Sequence, residues 1–297
     1  MKRSSFTKVC QAIHDLQKPI VADLHLHSTY SDGELTPAEL VQLALLKGVE
    51  VISITDHDSI EGIRALQIAG QITGQMNAGV QIVAGVEISC YLEGESYHLL
   101  GYFFDPENDE LQKTLMRLRK ARWERGQAII EALKSMKIEL VLPTHWSEER
   151  ISLGRPHLAK ILLEQKVVRS IHEAFSRFFF RDPINRIPKA QITVEEAIGL
   201  LKQAKGLSSL AHPSKRMIES QLPRLSQMGL DAVEVWYPAT TARGKESLLQ
   251  QANDLGLALT GGSDLHQREK ALETIGSCGL SRRYLDQLGI RSGSLYH

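Results

Sequence analysis

Short apolar segments recur along the chain, and amphipathic segments with helical spacing lie between them. The apolar segments are rich in β-branched residues and are bounded by charged residues or glycine, which predicts β-strands. In the first part of the chain, strands are predicted at 20–27, 49–55, 80–89 and 97–104. The last of these is expected to form a hairpin with the end of the strand before it. Helices are predicted between the strands at 37–47 and 59–70, and the first 18 residues predict a short helix or a loose leader.

The character of the chain changes after about residue 105. Residues up to about 188 are mostly helical in pattern and rich in Arg, and 111–136 carries apolar residues at helical spacing. The earlier alternation then returns, with a helix at 193–205 and strands at 207–211, 232–236 and 258–261. Strands that alternate with helices indicate a mostly parallel sheet. We therefore predict a barrel-like α/β domain built from 19–106 and 189–297, with a helical insertion at 107–188 that caps the active site.

Composition and charge narrow the class of protein. Lys and Arg number 35 and so do Asp and Glu, so the formal net charge is zero. This balance excludes a global basic field for long duplex DNA and leaves a local basic patch open. Three cysteines without CxxC spacing argue against a disulfide framework or a thiolate zinc site. No signal-peptide core or membrane-length apolar run is evident, so we expect a cytoplasmic protein without membrane contact.

Histidines and carboxylates stand where the predicted strands end. His25 and His27 share one face of the first strand, and six of the 11 histidines have strand-end positions. The carboxyl ends of parallel strands converge on one site, so these side chains are expected to meet. Imidazole and carboxylate ligands without thiolates suit Mn, Fe or Zn, and Mg less well. The candidate metal ligands are His25, His27, Asp32, His57, Glu87, His98, His212, Asp264 and His266.

The segments that carry these residues also occur in a known order. DLHLHSTYSDG, ITDHDSIEG, GVEIS, AHPSK and GGSDLHQ resemble the five successive motifs of the PHP (polymerase and histidinol phosphatase) phosphoesterases, between about Ile20 and His266. The resemblance implies a distorted (β/α)7-type barrel with three divalent metal ions, Mn²⁺ first and Fe, Zn or Mg as alternatives. It implies metal positions held by His25, His27, Glu87 and Asp264, by Glu87, His98 and His212, and by Asp32, His57 and His266.

Two of these residues have predicted catalytic roles. Glu87 is implied as the carboxylate that bridges two metals, which would otherwise repel each other. Metals about 4 Å apart clamp both oxygens of a phosphoryl transfer and make a nucleophile from water, so no Ser or Cys nucleophile is needed. Either His212 or a water on the metals protonates the leaving oxygen, and the sequence leaves both open.

Four further residues are candidate substrate contacts. Arg155 and His157 lie in a GRPH segment, which is either a helix start or a phosphate clamp with the planar fork of Arg155. Ser214 and Lys215 follow the strand-end His212, where they either contact a second phosphate or are solvated.

Other polar and aromatic residues near the strand ends have two interpretations each. Asp23 either orients a ligand or is a satisfied buried carboxylate, while Asp58 is predicted as a helix N-cap. Trp236 and Tyr237 either stack on a nucleobase or pack at the barrel rim. The basic run at 117–125 is predicted to be a solvated face, with contact to an RNA backbone as the alternative.

The chain length, the helical insertion and the GRPH segment resemble a free-standing bacterial subgroup of the PHP family. This resemblance implies hydrolysis of the 3′-phosphate of nucleoside 3′,5′-bisphosphates and 5′ to 3′ degradation of short 5′-phosphorylated RNA. The expected partner is thus a nucleotide or short RNA, and the sequence does not indicate whether the protein has protein partners. The alternatives are a small-molecule phosphatase similar to histidinol phosphatase, and an inactive metal-dependent nucleotide or RNA sensor.

Overall fold

A computed structural model describes residues 20–68 and 79–288 of the chain. Within these ranges, nine strands form one mixed sheet. The predicted leader at 1–18 and the end of the helix predicted at 59–70 lie outside the described residues. The strands are β1 (Ile20–Leu26), β2 (Val51–Ile54), β3 (Gln81–Leu92), β4 (Glu95–Tyr102), β5 (Ile192–Thr193), β6 (Leu207–Leu210), β7 (Ala232–Trp236), β8 (Ala258–Gly261) and β9 (Leu280–Ser281).

The strand order is β8-β7-β6-β4-β3-β2-β1-β9. β5 lies outside this series and pairs with β3. β1, β2 and β3 are parallel to one another, as are β6, β7 and β8. β4 is antiparallel to both β3 and β6, so the predicted hairpin is confirmed and joins the two parallel groups.

The two ends of the sheet meet at the segment that follows β8. Leu26 and Leu265 form a parallel bridge, and the Asp264 N–H donates to the His25 carbonyl at 2.8 Å. β1 is therefore flanked by β2 on one side, and on the other by β9 near its start and by this segment near its end. The result is a nearly closed, distorted α/β barrel, as the sequence predicts.

Helices surround the sheet and fill the region between β4 and β5. They are α1 (Pro37–Lys47), α2 (Glu61–Ile68), α3 (Asp109–Ser135), α4 (Arg155–Glu164), α5 (Ile171–Ala174), α6 (Val194–Gln203), α7 (Lys215–Ser220), α8 (Leu222–Gln227), α9 (Ala242–Leu255), α10 (Ala271–Thr274) and α11 (Arg282–Gln287). Thr36 caps α1 in a capping box with Glu39, and Gly48 ends it in a left-handed conformation. No helix among the described residues has the length and apolar character needed to cross a membrane.

Three hydrophobic clusters lie in different parts of the molecule. Two of them line the faces of the barrel sheet and contain most buried residues of β1 to β8. The third is confined to the region between β4 and β5, where Ile129 and Leu133 of α3 pack with Leu158 of α4 and Phe179. A separate cluster is what an inserted helical unit needs. We propose that residues 107–188 form this inserted helical unit.

Candidate metal centre

All nine candidate ligands lie close together. Most of them stand at or just beyond the carboxyl ends of parallel strands, whereas Glu87 lies within β3 and His98 within the antiparallel strand β4. The ligand atoms form four overlapping groups, in each of which the atoms are within 4.8 Å of one another. The groups are His27, Asp32, His57 and His266; His25, His27 and Asp264; His25, Glu87 and His212; and His57, Glu87 and His98. Because His25, His27, His57 and Glu87 each belong to two groups, the geometry does not reproduce one unique division into three sets.

The Glu87 carboxylate lies at the centre of the cluster. Its Oε1 atom is 2.9 Å from His98 Nδ1 and 3.0 Å from His212 Nε2. Its Oε2 atom lies 3.0 Å from His57 Nδ1 and 3.2 Å from His27 Nε2. The two oxygens thus face different histidine pairs, which is the arrangement that a bridging carboxylate requires.

Asp32 and Asp264 bring negative charge to the other side of the cluster. His266 Nε2 lies 3.3 Å from Asp32 Oδ1, and His266 Nδ1 lies 3.5 Å from Asp264 Oδ1. The same Asp264 oxygen is 3.4 Å from His25 Nε2 and 3.3 Å from His27 Nε2. The carboxylates therefore stand between imidazoles.

The donor set fits divalent cations. Asp32 Oδ1, His57 Nδ1 and Glu87 Oε2 are buried and lack a hydrogen-bond partner within the described part of the chain. In addition, the Nε2 atoms of His25 and His27 face each other at 3.2 Å. Buried polar atoms without partners are costly unless a cation or water satisfies them. Lone pairs that converge from imidazole and carboxylate groups suit Mn, Fe or Zn.

The backbone at the strand ends is strained in a way that brings the ligands together. His212 has φ 29° and Asp264 has φ 50°, both in the left-handed region that non-glycine residues seldom adopt. The loop before Asp264 approaches β1 closely, because a Cβ at Gly262 would lie 2.3 Å from the His25 Cβ. Only glycine allows this contact, which places Asp264 beside His25.

The charges of the cluster shift the pKa values of its members in opposite directions. Burial disfavours the ionised form of Glu87, but His57, His98 and His25 outweigh it and hold the pKa of Glu87 well below its usual range. Burial also opposes protonation of His266, yet Asp32 and Asp264 raise its pKa to about 10. Metal binding requires histidine nitrogens without a hydrogen, so it competes with protonation of these rings.

Two further buried carboxylates fix the loops that carry the ligands. Asp23 accepts the N–H groups of Ser263 and Gly276, each at 2.9 Å, and burial raises its pKa to about 6. Asp56, which sequence reasoning left out of the site, accepts the Ser28 N–H at 2.7 Å and hydroxyl hydrogens from Ser28 and Ser31. These bonds shape the segments next to Asp264 and Asp32. Asp23 is therefore a buried carboxylate with satisfied hydrogen bonds, and it also orients the segment that carries a candidate ligand.

The Asp58 carboxylate does not cap a helix, in contrast to the prediction. Its Oδ1 atom accepts the Ser89 N–H at 2.7 Å, and its Oδ2 atom pairs with Arg122 Nε at 2.5 Å. The Ser59 hydroxyl, 3.3 Å from the Glu61 N–H, is the group nearest to the start of α2. Asp58 instead joins β3 to the helical insertion.

Sequence reasoning missed Glu234 in β7. This side chain is fully buried, and its Oε1 atom lies 3.0 Å from His25 Nδ1. Its Oε2 atom accepts the His212 N–H at 2.6 Å. The sequence did contain a signal for Glu234. It is a charged residue inside the apolar segment AVEVW, and no residue nearby in sequence neutralises it.

A cavity of about 370 Å³ adjoins the cluster. Its lining includes Asp32, His57, His98 and His212 of the cluster, together with residues of the helical insertion and the segment that follows it. The second group forms a cationic side, because Arg122, Arg125, Arg155 and Lys189 all belong to it. The cavity thus presents candidate metal ligands together with positive charge.

Three of these cations are not neutralised by carboxylates. Among the described residues, Arg125, Arg155 and Lys189 form no ion pair with Asp or Glu, whereas Arg122 pairs with Asp58. The Arg155 guanidinium lies 5.6 Å from the ring centre of Phe175. Burial lowers the pKa of Arg125 to about 10, with Arg155 and Arg122 adding to the shift. An anion in the cavity would relieve this repulsion.

The other predicted substrate contacts have different surroundings. His157 is buried, with Nε2 2.7 Å from the Ser31 carbonyl oxygen and Nδ1 accepting the Gly154 N–H at 2.9 Å, so both ring nitrogens are engaged. Ser214 caps α7, and Lys215 is highly exposed, 3.7 Å from Glu219. Ser214 and Lys215 do not line the cavity, and their substrate contacts stay predictions.

The basic run at 117–125 is not a uniformly solvated face. Arg119 pairs with Glu61 at 3.3 Å, while Arg122 and Arg125 turn toward the cavity. Helical periodicity could have revealed this orientation. Arg122 and Arg125 precede the buried Ile129 by seven and four positions, so they lie on the same face of α3 as Ile129. Trp236 is buried against Tyr284 with ring centres 4.7 Å apart, which supports packing for this aromatic.

The barrel and its histidine–carboxylate cluster define a metal-dependent phosphoesterase. A family model described as the PHP domain matches residues 23–230, and the chain therefore belongs to the PHP family. The 5′-3′ exoribonuclease Rnm of Salmonella typhimurium is 29% identical over 266 residues, which are 86% of this chain and 88% of that protein. The 3′,5′-nucleoside bisphosphate phosphatase of Chromobacterium violaceum is 25% identical over 251 residues, 82% of this chain and 86% of that protein.

A solved structure agrees with this assignment. A protein of Bifidobacterium adolescentis described as a metal-dependent phosphoesterase superposes with a TM-score of 0.76 at 27% identity, covering 91% of this chain and 96% of that chain. The protein is thus a metal-dependent phosphoric ester hydrolase, as the sequence predicts.

Proposed function

We propose that the protein hydrolyses the 3′-phosphate of nucleoside 3′,5′-bisphosphates and degrades short 5′-phosphorylated RNA from the 5′ end. The observation that carries this proposal is the pair of unneutralised arginines, Arg125 and Arg155, in the same cavity as His98 and His212. A substrate with two phosphates matches a cavity with two anion-binding sides. The names of the relatives from Salmonella typhimurium and Chromobacterium violaceum support the same substrate class.

The cationic side suits a terminal phosphate. Arg155 offers a planar guanidinium beside the rings of Phe175 and Phe180, with centres 5.6 and 5.9 Å away. Arg binds phosphate oxygens in pairs, and charge-assisted hydrogen bonds of this kind are about twice as strong as neutral ones. We assign this side to the 5′-phosphate, which leaves the neighbouring 3′ ester facing the histidine–carboxylate cluster.

The cluster supplies the hydrolytic chemistry in this proposal. Divalent cations, when bound, polarise phosphate oxygens and allow water to act as the nucleophile at neutral pH. Glu87 and the histidines hold the cations, while Arg155 and Arg125 orient the substrate. His212 lines the cavity and is about a third exposed (34%), so its side chain can reach a leaving oxygen. The proposal includes three metal ions, and Mn²⁺ is the preferred candidate for their identity.

A second cavity, of about 1500 Å³, offers room for the rest of an RNA strand. It meets the metal centre at Asp32 and His266 and is lined further out by Tyr30, Trp146 and Arg150. Aromatic rings beside a cation suit unpaired bases and their phosphates. This cavity supports short RNA as a substrate in addition to mononucleotides.

A substrate panel tests the proposal. Mn²⁺-loaded protein would be given adenosine 3′,5′-bisphosphate, histidinol phosphate, and one short RNA with either a 5′-phosphate or a 5′-hydroxyl. We expect turnover of the bisphosphate and the 5′-phosphorylated RNA, with much slower cleavage of the 5′-hydroxyl RNA. Preference for histidinol phosphate would favour the small-molecule phosphatase, and full metal loading without turnover would favour the sensor. Equal cleavage of the two RNAs would refute the 5′-phosphate site.

A further inference from the structure

The buried carboxylate of Glu234 contacts two candidate metal ligands that belong to different strands. Glu234 lies in β7, while His25 lies in β1 and His212 follows β6. The Oε1 atom is 3.0 Å from His25 Nδ1, and the Oε2 atom accepts the His212 N–H at 2.6 Å. One side chain therefore spans the barrel interior between both ligands.

The contact with His25 determines which ring nitrogen is free. A carboxylate oxygen accepts hydrogen bonds, so the facing Nδ1 atom carries the hydrogen. The Nε2 atom then presents its lone pair toward Asp264 Oδ1 at 3.4 Å and Glu87 Oε2 at 3.4 Å. Histidine ligands in metal sites are commonly oriented by a carboxylate on their other nitrogen.

The contact with His212 acts on the backbone. His212 has φ 29°, a conformation that is unfavourable for a residue with a side chain and persists only when its surroundings hold it. The bond from its N–H to Glu234 is buried and short, so it is suited to this task. The resulting turn directs the ring, whose Nε2 atom lies 3.0 Å from Glu87.

We propose that Glu234 is a positioning residue that sets the tautomer of His25 and the backbone conformation of His212, and thereby orders two ligands together. The inference rests on the metal assignment proposed above. It does not extend to the far side of the cluster, because Asp32 and His266 make no contact with Glu234 among the described residues. Loss of Glu234 is therefore expected to weaken some of the bound metals and spare others.

The variant Glu234→Gln tests this selectivity. Glutamine keeps the size of the side chain but offers one acceptor and one donor group, so it cannot accept from both His25 and His212. Mn²⁺ binding would be measured by calorimetric titration and by metal content after dialysis. We expect roughly 10–100-fold weaker binding for the metals that use His25 or His212, and at least one ion held with unchanged affinity.

The matched control is Asp231→Asn, which makes the same chemical change at the residue that precedes β7. Asp231 Oδ2 accepts the Ser208 N–H at 2.9 Å and its hydroxyl at 2.8 Å, and so also joins β6 to β7. This control is expected to bind every metal as the wild type does. Glu234→Gln binding all metals with wild-type affinity, or weakening all of them equally, would overturn the proposal.

A measurement on the wild type covers the case in which Glu234→Gln fails to fold. Nitrogen-15 NMR of the Zn²⁺-loaded chain, with His25 signals assigned through His25→Gln, would show hydrogen on Nδ1 and metal on Nε2. A His25 ring without hydrogen on Nδ1 would overturn the role of Glu234 and leave the metal assignment intact. If the wild type bound no metal at all, the metal assignment would fall and this inference with it.

Discussion

The Nε2 atom of His157 lies 2.7 Å from the carbonyl oxygen of Ser31, the residue before the candidate ligand Asp32. His157 belongs to α4 of the insertion and Ser31 to a barrel loop, 126 positions away. The other ring nitrogen of His157 accepts a hydrogen bond from the Gly154 N–H at 2.9 Å. The ring therefore fastens the insertion to the loop that carries Asp32, which assigns it a positioning role in the structure.

Replacement of His157 by Ala should destabilise the protein. Two buried hydrogen bonds are lost and the Ser31 carbonyl is left without its partner, which costs about 1–3 kcal/mol in the free energy of unfolding. Denaturant unfolding would measure the change. His172→Ala, at an exposed position in α5, is the control and should stay within about 0.5 kcal/mol of the wild type. Equal stability of the two variants would contradict the role of His157.

The same side chain should give the protein a characteristic pH dependence. Burial lowers the pKa of His157 from its usual 6.5, and the nearby Asp32 only partly opposes this. The unfolded chain therefore takes up the proton first, so the stability from this group is present above pH 6.5 and is lost as the pH falls toward the folded pKa. Unfolding free energies at several pH values would show a shallower acid-side slope in His157→Ala. An unchanged slope would refute the assignment.

Removal of metal should abolish hydrolysis and lower stability. The buried atoms of Asp32, His57 and Glu87 that lack hydrogen-bond partners would lose their cations. A metal at about 100 times its dissociation constant contributes about 2.7 kcal/mol to the free energy of unfolding. Activity and thermal midpoint would be measured before chelation, after it, and after Mn²⁺ is restored. Undiminished turnover in chelator would rule out the metal centre.

Glu87→Gln should reduce kcat by at least about 100-fold, since Glu87 is proposed as a direct ligand and even outer partners of ligands matter by 10–100-fold. In this variant an amide nitrogen replaces one carboxylate oxygen, and this nitrogen cannot accept a hydrogen bond from the histidines that the carboxylate faces. The change conserves volume, so the chain is expected to stay folded, as circular dichroism would check. Glu95→Gln, on the neighbouring β4 and paired with Arg216, should keep full activity. Normal activity and metal content in Glu87→Gln would contradict the proposed site.

Arg155→Ala should raise KM for 5′-phosphorylated substrates by about 10–100-fold, the equivalent of one charged hydrogen bond. The 5′-hydroxyl RNA should be cleaved at an unchanged rate, because it has no phosphate for Arg155 to bind. Arg216→Ala is the control, since Arg216 is exposed (78%) and pairs with Glu95 outside the cavity. An equal effect of Arg155→Ala on both RNAs would remove Arg155 from the 5′-phosphate site.

The candidate ligands could be predicted from the sequence because strand-end placement is a local property. His25 and His27 share a face by the alternation of a strand, and Asp264 and His266 repeat that spacing after β8. Parallel strands end at one side of a sheet, so residues at those ends were expected to meet. The helix boundaries of α1 followed equally from the local signals Thr36, Pro37 and Gly48.

The chain by itself thus determined the barrel class and the histidines and carboxylates that its strand ends carry. Only the tertiary structure decided which other charges serve the site. Glu234 meets His25 across 209 positions, and Arg122 meets Asp58 across 64. Contacts at such separations depend on how the barrel closes and where the insertion packs, and no local spacing encodes either. Burial gives these charges their roles, because a charge removed from water must find a partner wherever the fold has placed one.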